Sequence, residues 1–146
     1  MNMSKLMDVI FICSSIIFNI SVSVLYIATK FGNWVLMQVS GAIVLSLIIP
    51  FTITLFGYIK KKAEKRTIIS HVFILFYLFL ELSLDYILKI PFREIVAIHV
   101  PYIIVFYVAM FSMIGVSFDK NRKMGFVVTT TFLILIGCLV YYLLPL

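Results

Sequence analysis

The chain has 146 residues, 64% of them hydrophobic and 12% charged, against about 25% charged in a soluble domain. That leaves too little polar surface to coat a globule in water, whereas lipid accepts an apolar exterior without penalty. The net charge of +6 does not point to nucleic acid, because the basic residues sit in short clusters between apolar runs, as topology signals do, and so short a chain has no room for a separate soluble catalytic module.

Residues 1-146 therefore read as one all-α domain, an integral membrane bundle of five transmembrane helices. A hydrocarbon core of about 30 Å needs roughly 20 apolar helical residues, and five windows qualify. The first runs from Met7 to Thr29 and stops at Lys30-Phe31-Gly32-Asn33-Trp34. Its Lys5, apolar stretch and Ser21-Val22-Ser23 are features of a cleavable signal, but apolar character resumes through Val24 to Ala28, so the segment is expected to be retained as a span. The second runs from Val35 to Ile59 and stops at the basic cluster from Lys60 to Arg66. The third covers Ile68 to Ile90 and ends at Pro91, which interrupts helical hydrogen bonding. The fourth covers Ile95 to Phe118, up to the polar turn from Asp119 to Lys123, and the fifth covers Phe126 to Leu144.

Lysine and arginine set the orientation. With the N-terminus in the cytoplasm and the C-terminus outside, the inner side carries Lys5, Lys60, Lys61, Lys62, Lys65, Arg66, Lys120, Arg122 and Lys123, nine residues. The outer side carries three, Lys30, Lys89 and Arg93. Tyr26, Phe31, Trp34, Tyr141 and Tyr142 then fall near the outer interface and Tyr58 near the inner one, where amphipathic rings settle. This topology places Cys13 and Cys138 in opposite halves of the bilayer, as buried thiols that form no disulfide and no metal motif. The cluster Lys60, Lys61, Lys62, Lys65 and Arg66 is a topology anchor that also attracts anionic lipid.

The third window carries the chemistry. Glu81 and Asp85 are four residues apart in an otherwise apolar span, which puts them on one helical face. Ser70, His71, Tyr77 and Lys89 fall within the same arc of roughly 120°. At about 1.5 Å per residue, Glu81 lies roughly 22 Å above the Arg66 boundary and Asp85 roughly 28 Å. Fifteen Leu, Ile, Val and Phe residues between Ile68 and Ile90 favour insertion by about 5 to 9 kcal/mol, against roughly 5 to 7 for two central carboxylates. The span inserts, with Glu81 facing protein or water. His71, near the inner boundary, reads as an interfacial residue.

Neighbouring windows offer partners at the depth of Glu81. Ser15, Asn19 and Ser23 recur every four residues in the first, and Gln38, Ala42, Ser46 and Pro50 in the second. His99 and Tyr102 flank Pro101 near the start of the fourth. Asn19, Gln38, Glu81, Asp85, His99 and Tyr102 are thus expected to converge on a polar pocket in the outer half of the bundle, rimmed by Lys89, Arg93 and Glu94. The competing structural reading makes Asp85, Lys89, Arg93 and Glu94 a charge network at the headgroups.

No nucleotide loop, paired-histidine metal helix or nucleophile elbow is present, and no cofactor or metal is expected. The pocket suits a non-enzymatic protein that binds or passes a small solute, proton or cation, as a homo-oligomer or within a larger membrane complex. The alternatives are an accessory subunit of such a complex and a membrane-embedded enzyme acting on a lipid.

Overall fold

The computed structural model describes residues 3–88 and 95–145, and every regular element among them is helical. Helix α1 covers Met3–Phe31. It ends in a Schellman turn, in which Asn33 N–H donates to the Ala28 carbonyl (2.9 Å) and Gly32 N–H to that of Thr29 (3.2 Å). The turn needs a left-handed residue at position 32, and glycine supplies it at φ +69°. Asn33 then caps α2, Trp34–Ser46, by accepting from Leu36 N–H at 3.1 Å. Helix α3 covers Ile48–Lys60, and α4 covers Lys65–Glu81 before widening into a π-helical segment, Leu82–Ile87. Helix α5 covers Val96–Lys120 and α6 covers Arg122–Leu143, with Asn121 capping α6 through Lys123 and Met124 N–H.

Five stretches, Lys5–Phe31, Trp34–Lys60, Lys65–Ile87, Val96–Lys120 and Arg122–Leu143, are long and apolar enough to cross a membrane. They correspond to the five expected windows, and the helices extend into the flanking charged clusters. The second departs from expectation. Its helix breaks at Leu47, where the Leu47 N–H turns to the Val44 carbonyl at 3.2 Å. Pro50 is the cause, because it has no N–H for the Ser46 carbonyl and its ring crowds that carbonyl.

The break changes the packing on either side of it. Helix α3 lies against both α1 and α4, whereas α2 leans mainly on α1 and barely meets α4. The circuit closes through α4 on α5, α5 on α6 and α6 on α1. In the half of the bundle that holds the basic connections, Phe11, Phe51, Ile74, Met113 and Val116 fill the interior. Large apolar side chains such as Val35, Ile49, Phe56, Phe73, Phe111 and Leu133 cover the outside. Cys138 is half-buried, and Cys13 is exposed rather than buried because it falls on the outward face of α1.

Helix ends are tied by side chains. The Lys30 ammonium donates to the carbonyls of Tyr141 (2.6 Å) and Leu144 (2.7 Å) and sits 4.4 Å from the Tyr141 ring centre. It thereby satisfies carbonyls that the end of α6 leaves without helical partners. Near the other end of α6, Gly125 is pressed against α5. A Cβ there would lie 2.8 Å from the Phe118 Cα, whereas one at Gly137 would meet nothing within 4 Å. Gly125→Ala is expected to lower stability by about 1 to 3 kcal/mol through overpacking. Gly137→Ala is expected to be neutral or stabilising by up to about 1 kcal/mol, with both read from denaturation of the purified protein.

Candidate functional site

Tyr77 and Glu81 stand one turn apart on α4 and share its inward face. Opposite them, α5 presents Tyr102, one residue after Pro101, which has no N–H for the Ala97 carbonyl. The Tyr77 hydroxyl donates to Glu81 Oε2 at 3.3 Å, the Tyr102 hydroxyl donates to the same oxygen in a closer bond, and the two phenol oxygens are 3.1 Å apart. All three residues are buried. Packing holds the phenols in place, because Phe18 meets Tyr77 edge-on at 5.9 Å and Phe106 meets it at 5.2 Å. A buried carboxylate thus sits where two helices supply its hydrogen bonds.

The helix widens immediately after Glu81, with the Leu88 N–H reaching back five residues to the Ser83 carbonyl at 2.8 Å. Regular α-helical winding predicts that Asp85 shares the face of Glu81. In the π-helical segment both Asp85 and its neighbour Tyr86 reach the same cavity, since each turn holds more residues than in an α-helix. The Tyr86 hydroxyl closes on the α2 backbone at Gly41, where a Cβ would collide with it.

These groups line a cavity of about 860 Å³ walled by α1, α2, the end of α4, α5 and α6. Gln38, Glu81, Asp85, His99 and Tyr102 all face it, so five of the six residues expected to converge are brought together. Asn19 is not among them. Its amide donates to Thr131 Oγ1 at 2.9 Å and to the Val128 carbonyl at 3.4 Å, pinning α1 to α6. A four-residue period gives a face but not the direction in which it points, and Asn19 points to α6. Ser15 and Ser23, on the same stripe, bond back to the carbonyls of Phe11 and Asn19 on their own helix. The expected rim residues Lys89, Arg93 and Glu94 lie outside the described residues.

Much of the cavity wall is aromatic, which helical periodicity does not reveal. Tyr26, Trp34, Tyr77, Tyr86, Phe106, Tyr107 and Tyr142 all contribute to the wall, and Tyr26 stacks on Tyr142 at 5.8 Å. The clustering of aromatics at one end of the spans was the available signal, but it reads equally as an interfacial belt. His99 lies nearly parallel to Tyr102, with ring centres 6.3 Å apart. Among the described residues, no lysine or arginine lines the cavity, and no group of three or more His, Cys, Asp or Glu is placed to hold a metal ion. Val22, Val44 and Phe106 mark the deep end of the cavity, and Phe18 and Leu78 are fully buried at the same level of the bundle. The cavity therefore lies toward the end of the bundle bearing Thr29, Trp34 and Asp85.

His71 belongs to a separate cluster and is a second correction, being fully buried rather than interfacial. Its Nδ1 lies 2.8 Å from the Thr67 carbonyl, which can only accept, so Nδ1 carries a proton. Its Nε2 lies 3.0 Å from Thr54 Oγ1 on α3. Phe11 and Tyr58 pack on the ring at 4.8 and 5.2 Å, and the Tyr58 hydroxyl donates to Asp8 Oδ1 at 2.6 Å. These bonds brace α3 to α4 and α1. On the adjoining surface, Lys60, Lys61, Lys62, Lys65 and Arg66 are all exposed. Arg66 approaches Asp119 at 3.8 Å, an exposed ion pair of little energetic weight.

Two substitutions separate the packing bond from the site. Asn19→Ala is expected to cost about 0.6 to 1.7 kcal/mol, the range for an interhelical hydrogen bond in a membrane bundle. Tyr102→Phe keeps the ring but leaves Glu81 short of a donor, at about 1 to 3 kcal/mol. Both are read from reversible denaturation in detergent. Neither a protein-family model, nor a curated protein, nor a solved structure matches the chain.

Proposed function

We propose that the chain is an integral protein of the cytoplasmic membrane, N-terminus inside and C-terminus outside, whose cavity takes up a small solute from the outer side. The carrying observation is the cavity of about 860 Å³, confined to one end of the bundle, with Glu81 in its wall. That volume lies within the roughly 300 to 1,000 Å³ of small-molecule sites. An ionisable side chain inside a membrane helix is costly to insert and marks a functional position by default, and π-helical segments recur at such positions. In this reading Glu81 holds the solute, Asp85 supports it, and Gln38, His99 and Tyr102 complete the polar lining.

The orientation rests on the excess of lysine and arginine at one end of the bundle, nine residues against three. Five apolar spans with apolar exteriors support insertion. The basic cluster from Lys60 to Arg66 faces the anionic lipid of the inner leaflet. Beside it a hollow of about 590 Å³ between α4 and α5 combines Arg66, Ser70 and Ser112 with Phe73 and Phe111, which suits a lipid headgroup and its chain. Passing the solute onward requires a second conformation in which the level of Phe18 and Leu78 opens, through a second copy or a partner subunit.

Accessibility tests this reading. With Cys13 and Cys138 replaced by serine, a membrane-impermeant maleimide applied to intact cells should label Gln38→Cys. Lys61→Cys should react only after permeabilisation, and Leu78→Cys in neither condition. The reverse pattern for the first two would overturn the orientation, and an unreactive Gln38→Cys would overturn the open cavity.

A further inference from the structure

We infer that the hollow of about 590 Å³ between α4 and α5 seats one anionic phospholipid, with its phosphate on Arg66 and an acyl chain between Phe73 and Phe111. The inference deepens the lipid contact proposed above and rests on the basic end of the bundle lying in the inner leaflet. It is independent of the solute cavity, which lies toward the other end of the same two helices.

The order of residues along this groove follows the order of groups along a phospholipid. At the basic end, Arg66 of α4 reaches across to α5, where a Cβ on Gly115 would stand 3.5 Å from its Nη2. Asp119 meets the guanidinium at Nε, 3.8 Å away, but the fork carries five N–H donors, so a phosphate can share it. The hydroxyls of Ser70 and Ser112 come next. Ser70 lies about 6 Å deeper than Arg66 at 1.5 Å per residue, where a headgroup layer of about 5 to 8 Å gives way to hydrocarbon. The two hydroxyls thus offer donors at the level of a lipid's ester carbonyls. Phe73, Val108 and Phe111 flank the apolar stretch beyond, and both phenylalanines are exposed on the outside of the bundle. Charge then selects the class of lipid. The helix ends beside the mouth, residues 64–66 and 119–123, carry five lysines and arginines against Glu64 and Asp119, an excess of three positive charges. Basic pockets between membrane helices on the cytoplasmic side are seats for anionic headgroups, whereas a zwitterionic lipid brings an ammonium of its own into that excess.

The chain has a single tryptophan, Trp34, at the other end of the bundle. In a Trp34→Phe background, Phe73→Trp therefore puts the chain's one indole in the groove wall. The full chain is reconstituted in mixed vesicles of phosphatidylcholine and phosphatidylglycerol, with bromine on the acyl chains of one lipid or the other to quench the indole on contact. Relative affinity at Phe73→Trp is expected to favour phosphatidylglycerol by about fivefold, the factor that one basic residue at a membrane surface supplies. Phe111→Trp, on the opposite wall, should repeat it. Ile53→Trp, exposed on α3 and equally far from the basic cluster, should show a smaller preference. Arg66→Gln should bring the groove reporters down to the level of Ile53→Trp. Gly115→Leu keeps every charge but fills the groove, and should do the same. The comparison of reporters on otherwise unaltered protein stands even if either variant fails to fold.

Equal preference at Phe73→Trp and Ile53→Trp would mean a diffuse attraction to the basic end and would overturn the seat. A preference that soluble glycerol 3-phosphate abolishes would reassign Arg66 to a free phosphate. Quenching at Ile53→Trp but at neither groove reporter would mean that protein, such as a second copy, covers the groove, and would overturn the lipid as its occupant. Quenching at none of the three would remove the membrane placement of the reading above as well.

Discussion

Pro50 has no N–H to give the Ser46 carbonyl, and the second span divides there into α2 and α3. Much of the structure follows from that missing bond. Below the break, α3 is held on two sides, by Thr54 against His71 of α4 and by Tyr58 against Asp8 of α1. Above it, α2 follows α1 and leaves α4 almost untouched. The same five spans thus form a filled half and a hollow half, and the hollow half contains Glu81.

In lipid, helices gain little from burying apolar surface against one another, so packing and interhelical polar bonds carry the association. The chain uses its polar residues sparingly for this. Several buried hydroxyls, among them Ser14, Ser15 and Ser23, return to carbonyls of their own helix, which satisfies them without fixing a neighbour. Among the described residues, interhelical bonds are concentrated at a few points: Asn19 to Thr131, Tyr58 to Asp8, Thr54 to His71, Lys30 to the end of α6, and Tyr102 to Glu81. Four of these five hold the frame. The fifth lies in the cavity wall.

How much of this was legible in the sequence follows from what each signal measures. Span number comes from composition, and lipid-scale apolar runs have few competing readings, so all five were found. Gln38, Glu81, Asp85, His99 and Tyr102 were placed together because depth along a helix can be counted. Azimuth cannot be counted in the same way, and Asn19 turned to α6 for that reason. The π-helical winding after Glu81 leaves no composition signature in Leu82 to Ile87, so the approach of Tyr86 to Gly41 was invisible. Tyr26, Trp34 and Tyr142 were assigned to the membrane interface because an amphipathic ring suits a headgroup region and a cavity mouth equally. The short distance of His71 from the Lys60–Arg66 cluster points to the interface; the partners that allow its burial, Thr54 and Tyr58, come from a different helix.

The unequal halves also indicate where motion is least costly. Opening the filled half means separating Phe11 from Phe51 and His71 and breaking the Thr54 and Tyr58 braces together. Among the described residues, α2 meets α4 little apart from the approach of Tyr86 to Gly41, while it stays packed along α1. The proposed function makes the break at Leu47 the hinge, since its N–H bonds to Val44 rather than continuing the four-residue ladder. In the proposed function, then, α2 is the element that admits the solute, with Tyr86 and Gly41 as the point where it closes. Helix α3 stays fixed against α1 and α4 while α2 moves.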